Sequence, residues 1–155
     1  MSDFAHILDL AAEIAKPFEG LRLRAYHDPV GYPTIGYGHL LSRVRWEDLS
    51  KYPDITHEEA ERLLEEDMKS AVMAAIRLCP NAESAEQLAA IADFAFNCGA
   101  GNLQISTLRR KVNRGDYDGA AAEFAKWVFA AGVKLPGLVR RRKAERNLFE
   151  SSKER

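Results

Sequence analysis

Three residues near the N-terminus have side chains suited to acid–base chemistry: Glu19, Asp28 and Thr34. Glycoside hydrolysis needs two carboxyl groups that face one site. One is held protonated and donates to the leaving oxygen, while the other activates a water molecule. The hydroxyl of Thr34 could orient that water. Taken alone, each residue is more typical of a solvated face or a turn than of a catalytic site. Nine extended residues span ~30 Å, so the hypothesis depends on how the chain folds back.

The elements around these residues can be predicted from their patterns. Residues 4–19 have apolar side chains at helical spacing, and Gly20 is a typical helix stop. Pro17 is expected to kink this helix or to open a separate last turn. Residues 21–45 alternate strand-like runs with glycines, and Asp28 opens a turn sequence that ends at Gly31. We therefore expect a small antiparallel sheet of two or three short strands.

The rest of the chain is predicted to be helical. Thr56 and Glu59 form a capping box, and helical periodicity then runs to about Leu78. Further helices are predicted at about 84–97, 106–114, 117–130 and 137–150. The expected fold class is α+β and mostly helical, with a small sheet lobe and a helical lobe joined by the long helix. We expect a single domain with an N-terminal lobe at about 16–65 and a helical lobe at about 1–15 and 66–155.

Composition excludes several classes of protein. The 155 residues are 46% hydrophobic with a formal net charge of -1, which excludes a disordered chain and argues against a dedicated nucleic-acid-binding protein. No apolar stretch reaches the ~20 residues of a transmembrane helix. Acidic residues interrupt the first sixteen positions, so no signal peptide is predicted. Cys79 and Cys98 lack metal-ligand spacing and are expected to be free thiols.

The segment from Phe18 to Leu40 closely resembles the active-site segment of phage-type lysozymes, the endolysins of glycoside hydrolase family 24. The signature of that family is Glu, eight residues, Asp or Cys, five residues, and Thr. Glu19, Asp28 and Thr34 match it in both spacings. The resemblance covers about residues 5–150, and it continues through 58–67, 96–99, 106–108, 124–127 and 135–142.

The resemblance implies a lysozyme-like two-lobed fold and a muramidase without cofactor or metal. Glu19 would be the general acid, Asp28 the base that activates water, and Thr34 a residue that helps to hold that water. The substrate would be the β-1,4 bond between N-acetylmuramic acid and N-acetylglucosamine in peptidoglycan. Family members invert configuration at the sugar, which suits carboxyl groups about 6.5–9.5 Å apart.

Further positions have roles implied by the family. Asp67 lies on the apolar stripe of the long helix, where a charge needs a partner, and His39 is expected to form a structural ion pair with it. Exposure of Asp67 at the edge of the stripe is the alternative. The positions that align with saccharide-contacting residues are Leu40, Phe96, Asn97, Thr107 and Glu123.

Several of these assignments have structural alternatives. Leu40 and Phe96 are equally compatible with a core, and Glu123 departs from the amide of a relative. Trp46 and Trp127 could stack on sugars, although Trp127 lies in an apolar cluster. An arginine from Arg140 to Arg142 is expected to reach the cleft, and the sequence does not decide which of the three does so.

The expected partner is bacterial peptidoglycan, bound by a monomer without stable insertion into a membrane. A basic face, formed by residues 109–114 and 140–146, could contact an anionic cell-wall polymer or simply be solvated. The resemblance implies residence in the host cytoplasm until a holin-type protein permeabilises the membrane. Two alternatives remain open: a catalytically inactive peptidoglycan-binding or interaction domain, and a lytic transglycosylase.

Overall fold

A computed structural model describes residues 3–152. Those residues form seven α-helices, a three-stranded antiparallel sheet and a two-stranded hairpin, which confirms the predicted α+β, mostly helical class. The helices are α1 (Phe4–Glu19), α2 (His57–Leu78), α3 (Ala85–Cys98), α4 (Ala100–Ile105), α5 (Thr107–Asn113), α6 (Tyr117–Glu123) and α7 (Pro136–Ser151). The strands are β1 (Arg22–His27), β2 (Pro33–Gly36), β3 (His39–Leu40), β4 (Phe129–Ala130) and β5 (Val133–Lys134), and 3-10 turns lie at Leu49–Lys51 and Phe124–Lys126.

The chain divides into two compact units. The sheet unit is Lys16–Asp67, and the helical unit comprises the described residues before and after it. The boundaries therefore fall inside α1 and inside α2. Helix α1 runs without interruption through Pro17 to Glu19, so no separate last turn forms there.

The sheet unit is organised around β2, whose four residues are all buried. Thr34 pairs with Tyr26 of β1 on one side and with Leu40 of β3 on the other. A Cβ built on Gly36 would lie 3.5 Å from the Cβ of Ala60, so β2 packs closely against the start of α2 within this unit. The central strand thus fixes the backbone that carries Thr34.

The start of α2 follows the predicted capping chemistry. The hydroxyl of Thr56 accepts a hydrogen bond from the backbone N–H of Glu59 at 3.1 Å, and the carboxylate of Glu59 accepts from the Thr56 backbone N–H at 3.4 Å. Two N–H groups at the helix start are thereby satisfied. The predicted capping box is confirmed.

The helical unit has an aromatic core. Phe124 meets Phe94 and Phe149 edge to face, with ring centroids 6.1 and 5.5 Å apart. Trp127 meets Phe94 at 5.2 Å in the same geometry, in agreement with a structural role for this tryptophan.

Cys79 is buried, Cys98 is half-buried, and both are free cysteines. Burial raises the pKa of the Cys79 thiol to about 11, which keeps it protonated and unreactive.

The predicted helix at 117–130 is too long. Helix α6 ends at Glu123, a 3-10 turn follows, and residues 129–134 form the β4–β5 hairpin. Ala131 and Gly132 at the hairpin tip have φ values of 50° and 79°, which a right-handed helix does not allow. The short helix α4 was also not predicted.

Within residues 3–152, no helix combines the length and the apolar character that crossing a membrane requires.

Candidate active site

Asp28 opens a tight turn between β1 and β2. Its backbone carbonyl accepts from the N–H of Gly31 at 2.9 Å, and its side-chain Oδ1 accepts from the N–H groups of Val30 and Tyr32, each at 2.9 Å. A carboxylate that binds its own turn in this way is held in one orientation. Within the described residues Oδ2 takes no hydrogen bond, so this oxygen can accept from a water molecule.

Thr34 lies on β2, close to this turn. Its side chain is nearly buried, at 5% exposure, and its hydroxyl donates to the carbonyl of Tyr32 at 2.8 Å. The backbone N–H of Asp28 donates to the same carbonyl at 2.9 Å. Because the hydroxyl proton is committed to this bond, the lone pairs of Oγ1 are what Thr34 offers to another molecule.

Glu19 is the last residue of α1 and is half-buried. A Cβ built on Gly38 would lie 3.3 Å from Oε2 of Glu19, so the backbone between β2 and β3 approaches this carboxylate closely. Gly38 has a φ of 78°, a conformation that glycine adopts without strain. Glycine at this position therefore allows both the turn and the close approach to the carboxylate.

Tyr26 links the two carboxylates electrostatically. Burial raises the pKa of its hydroxyl, the neighbouring Arg22 lowers it, and the charges of Glu19 and Asp28 both raise it. The charges of both carboxylates therefore act on the same hydroxyl. Arg22 lies over the Tyr26 ring at 4.5 Å. The sequence pattern did not single out Tyr26 or Gly38, although both lie inside the signature segment.

His39 and Asp67 are in contact. Nδ1 of His39 lies 2.9 Å from Oδ2 and 3.1 Å from Oδ1 of Asp67, and the two side chains are 27% and 31% exposed. The contact joins β3 to α2 within the sheet unit. That it supports folding rather than catalysis remains a prediction.

The five predicted saccharide-contacting residues are distributed over both units. Leu40 is exposed at the end of β3, and Phe96 and Asn97 are half-buried near the end of α3. Thr107 is half-buried, and its hydroxyl accepts from Nη2 of Arg110 at 2.7 Å. That these residues contact a saccharide remains a prediction.

Glu123 is placed differently from the other four residues. It is only 4% exposed, and its Oε2 accepts from the ammonium groups of Lys126 at 2.7 Å and Lys111 at 3.0 Å. Burial favours a raised pKa for this carboxyl, but the two lysines outweigh it and the pKa is lowered. The carboxylate is occupied within the helical unit, and this geometry does not favour a saccharide contact.

The helical unit contains a buried charged cluster that sequence patterns did not predict. Arg141 donates from Nε and Nη2 to the two carboxylate oxygens of Asp93, at 2.9 and 2.7 Å. Arg142 donates from Nη2 to Glu145 at 2.7 Å. All four side chains are buried, whereas Arg140 is exposed. Asp93 lies in an otherwise apolar helical stretch, and that was the signal that could have revealed the cluster.

Burial raises the pKa of Glu145 well above its usual range, and a hydrogen bond to the ionised Asp93 raises it further. The shift favours the protonated form of Glu145, which donates to the carboxylate of Asp93. Asp93 has a lowered pKa, because hydrogen bonds from Arg141 and Glu145 outweigh the effect of burial.

Among residues 3–152 no group of three or more His, Cys, Asp or Glu side chains could hold a metal ion.

Comparison with known proteins identifies related sequences and structures. The phage lysozyme family model matches residues 16–145. An endolysin of Acyrthosiphon pisum secondary endosymbiont phage 1 is 39% identical over 151 residues, which cover 95% of this chain and 99% of that protein. Two solved structures are similar along most of the chain. The muramidase domain of SpmX from Asticaccaulis excentricus has a TM-score of 0.77 at 33% identity, covering 90% of this chain and 93% of that one. The endolysin from Escherichia coli O157:H7 phage FAHEc1 has a TM-score of 0.79 at 31% identity, covering 92% of each chain.

Proposed function

Because the chain belongs to the phage lysozyme family, we propose that it is an endolysin that hydrolyses the β-1,4 bond between N-acetylmuramic acid and N-acetylglucosamine. Enzymes of this family are glycoside hydrolases that act on peptidoglycan. The observation that carries the finer proposal is the shared carbonyl of Tyr32, which joins the Thr34 hydroxyl to the Asp28 turn. This arrangement ties the Thr34 hydroxyl to the turn that carries the Asp28 carboxylate, which supports a shared role of the two residues in the activation of water.

In the proposed mechanism Glu19 is the general acid. It enters the reaction protonated and donates its proton to the glycosidic oxygen, so that the leaving sugar departs as an alcohol. The half-buried end of α1 and the close backbone of Gly38 limit the positions that this carboxyl can take. A fixed acid is more effective because its proton already lies near the leaving oxygen.

Asp28 and Thr34 act on the attacking water. The water donates one hydrogen to Oδ2 of Asp28 and the other to Oγ1 of Thr34, which turns its oxygen lone pair toward the anomeric carbon. As the new C–O bond forms, Asp28 accepts a proton from the water. One proton leaves Glu19 and one reaches Asp28, so the cycle closes when a proton passes back through solvent. The reaction inverts the anomeric configuration, since water attacks the face opposite the leaving group.

The setting of the reaction is part of the same proposal. The enzyme acts as a monomer on peptidoglycan, needs no cofactor, and does not insert stably into the membrane. It stays in the host cytoplasm until a holin-type protein permeabilises the membrane, and it then reaches the cell wall. The muramidase domain of SpmX, at 33% identity, supports a muramidase rather than another wall-cleaving activity.

Mass analysis of products released from purified peptidoglycan tests the reaction type. Hydrolysis adds one water to each cleaved bond and leaves a reducing N-acetylmuramic acid end. A lytic transglycosylase would instead leave an anhydro end that lacks this water. Reducing ends are expected. Anhydro ends, or intact peptidoglycan to which the protein merely binds, would contradict the proposal.

A further inference from the structure

Trp46 has an exposed indole ring beside the proposed catalytic turn. The residue is 63% exposed, although a tryptophan side chain has a large apolar surface that usually gains from burial. We propose that Trp46 is a stacking surface for one N-acetylated hexosamine ring of the peptidoglycan glycan chain. This inference rests on the proposed function and adds a binding residue to the same site.

The backbone of Trp46 is fixed in an unfavourable conformation. Its φ is 60°, in the left-handed region that bulky residues rarely adopt. Its N–H donates to the carbonyl of Gly31 at 2.8 Å. Such strain persists only where the surroundings hold it, and it is concentrated at functional sites. An exposed ring retained in this conformation indicates a use for the ring itself.

The indole is also seated closely against the turn. A Cβ built on Gly31 would lie 2.5 Å from Cε2 of Trp46, so only glycine leaves room for the ring there. Gly31 closes the turn that Asp28 opens, through a hydrogen bond of 2.9 Å. The ring is therefore one tight turn away from the proposed base. The proposed ligand of the indole is a sugar next to the one whose glycosidic bond lies at Asp28.

The loop that carries Trp46 is held in place by its own contacts. The carboxylate of Glu47 accepts from the hydroxyl of Tyr52 and lies 3.1 Å from the ammonium of Lys51. His27 donates from Nε2 to the carbonyl of Glu47 at 2.8 Å, and its ring lies 5.2 Å from the indole. The indole is thus pre-organised, which lowers the entropic cost of binding a ligand.

The surroundings fit a hexosamine polymer. The flat C–H face of a pyranose ring packs on an indole, while the hydroxyl and acetamido groups remain in water. Arg45, the residue before Trp46, lies over the Tyr32 ring at 5.3 Å. This exposed cation complements the carboxylates that the lactyl groups and peptides of peptidoglycan bear.

The test uses the Glu19→Gln chain, so that binding is measured without cleavage. Peptide-free glycan strands prepared from peptidoglycan are titrated against this chain and against variants that also carry Trp46→Gly, Trp46→Phe or Val44→Ala. Glycine adopts a positive φ without strain, so the loop keeps its path. Val44 is 58% exposed on the same loop and serves as the matched control.

The expected dissociation constant rises about tenfold for Trp46→Gly, less than threefold for Trp46→Phe, and not at all for Val44→Ala. The tryptophan emission of the Glu19→Gln chain should shift on binding, and this shift should be absent with Trp46→Phe. Equal affinity of the Trp46→Gly and parent chains, or an emission shift that survives Trp46→Phe, would overturn the proposal.

Kinetics separate this inference from the proposed function. In the otherwise unchanged enzyme, Trp46→Gly should raise KM and leave kcat unaltered, since it removes uniform binding. A loss confined to kcat would contradict the stacking role. If the unchanged enzyme releases no reducing ends, the proposed function fails, whereas the binding titration still decides whether Trp46 contacts the glycan.

Discussion

The Thr34 hydroxyl and the Asp28 backbone N–H donate to one atom, the carbonyl oxygen of Tyr32, at 2.8 and 2.9 Å. Thr34 is thereby tied to the turn whose carboxylate is the proposed base. The hydroxyl proton is used in this bond, so Oγ1 has only acceptor lone pairs to offer to a water molecule. The relationship explains how a threonine and an aspartate on neighbouring elements can act on the same water.

Asp28→Asn should separate the chemistry of this residue from its structural role. The amide oxygen can still accept the N–H groups of Val30 and Tyr32, so the turn and the thermal midpoint should be retained. Release of reducing ends should fall about 10²–10⁴-fold, because an amide does not accept a proton from water. Asp28→Ala loses the turn bonds as well and should lower the thermal midpoint. Substantial activity in the asparagine variant would exclude Asp28 as the base.

Gly38→Ala should reduce both stability and activity. Alanine at a φ of 78° costs about 1–2 kcal/mol, and its Cβ would lie 3.3 Å from Oε2 of Glu19, which displaces the proposed acid. Gly115→Ala is the matched control, because Gly115 has a φ of 79° and nothing within 4 Å of its Cβ position. Urea unfolding and reducing-end release measure the two effects. Equal activities in the two variants would show that Gly38 does not position Glu19.

The contact between His39 and Asp67 is expected to stabilise the sheet unit modestly. Both side chains are about 30% exposed, so solvent weakens the interaction. A double-mutant cycle with Asp67→Asn and His39→Gln, measured by urea unfolding at acidic pH, should give a coupling of about 0.5–1 kcal/mol. Added salt should reduce this coupling. Zero coupling, or loss of catalysis in Asp67→Asn without loss of stability, would contradict a structural role.

Glu145 should make the protein less stable as the pH rises above about 4.5. Its pKa is raised in the folded chain, so above the unfolded value of about 4.5 the folded state holds a proton that the unfolded state has lost. The stabilisation is complete below that pH and declines as pH rises through the folded pKa. Glu145→Gln keeps a donor for Asp93 and removes the titration. Its free energy of unfolding between pH 5 and 9 should fall less steeply than that of the parent chain, and parallel curves would contradict the protonated Glu145.

Helical periodicity and capping residues predicted most of the helices, because these signals lie within the sequence of each helix and at its ends. The ends of α1 and α2 follow from helical periodicity, Gly20 and the Thr56 cap, and the structure places them at Glu19 and Leu78 as predicted. The helix predicted at 117–130 ends early, at Glu123, because a 3-10 turn and then a hairpin with positive φ at Ala131 and Gly132 follow it. Apolar periodicity contains no information about that backbone.

The candidate site could be predicted only in part. The spacing of Glu19, Asp28 and Thr34 is visible in the sequence, and their catalytic roles remain proposals. The roles of Gly38 and Tyr26 depend on which strands pair and where a backbone approaches a carboxylate. The bidentate pair of Arg141 with Asp93 joins residues 48 positions apart, which no local pattern specifies.

Glu19→Gln is the most direct test of the proposed muramidase. The amide has nearly the size of the carboxyl and cannot donate a catalytic proton, so release of reducing ends from purified peptidoglycan should fall about 10²–10⁴-fold. Circular dichroism and the thermal midpoint should match those of the parent chain. Undiminished release by a folded Glu19→Gln variant would show that Glu19 is not the general acid and would contradict the mechanism.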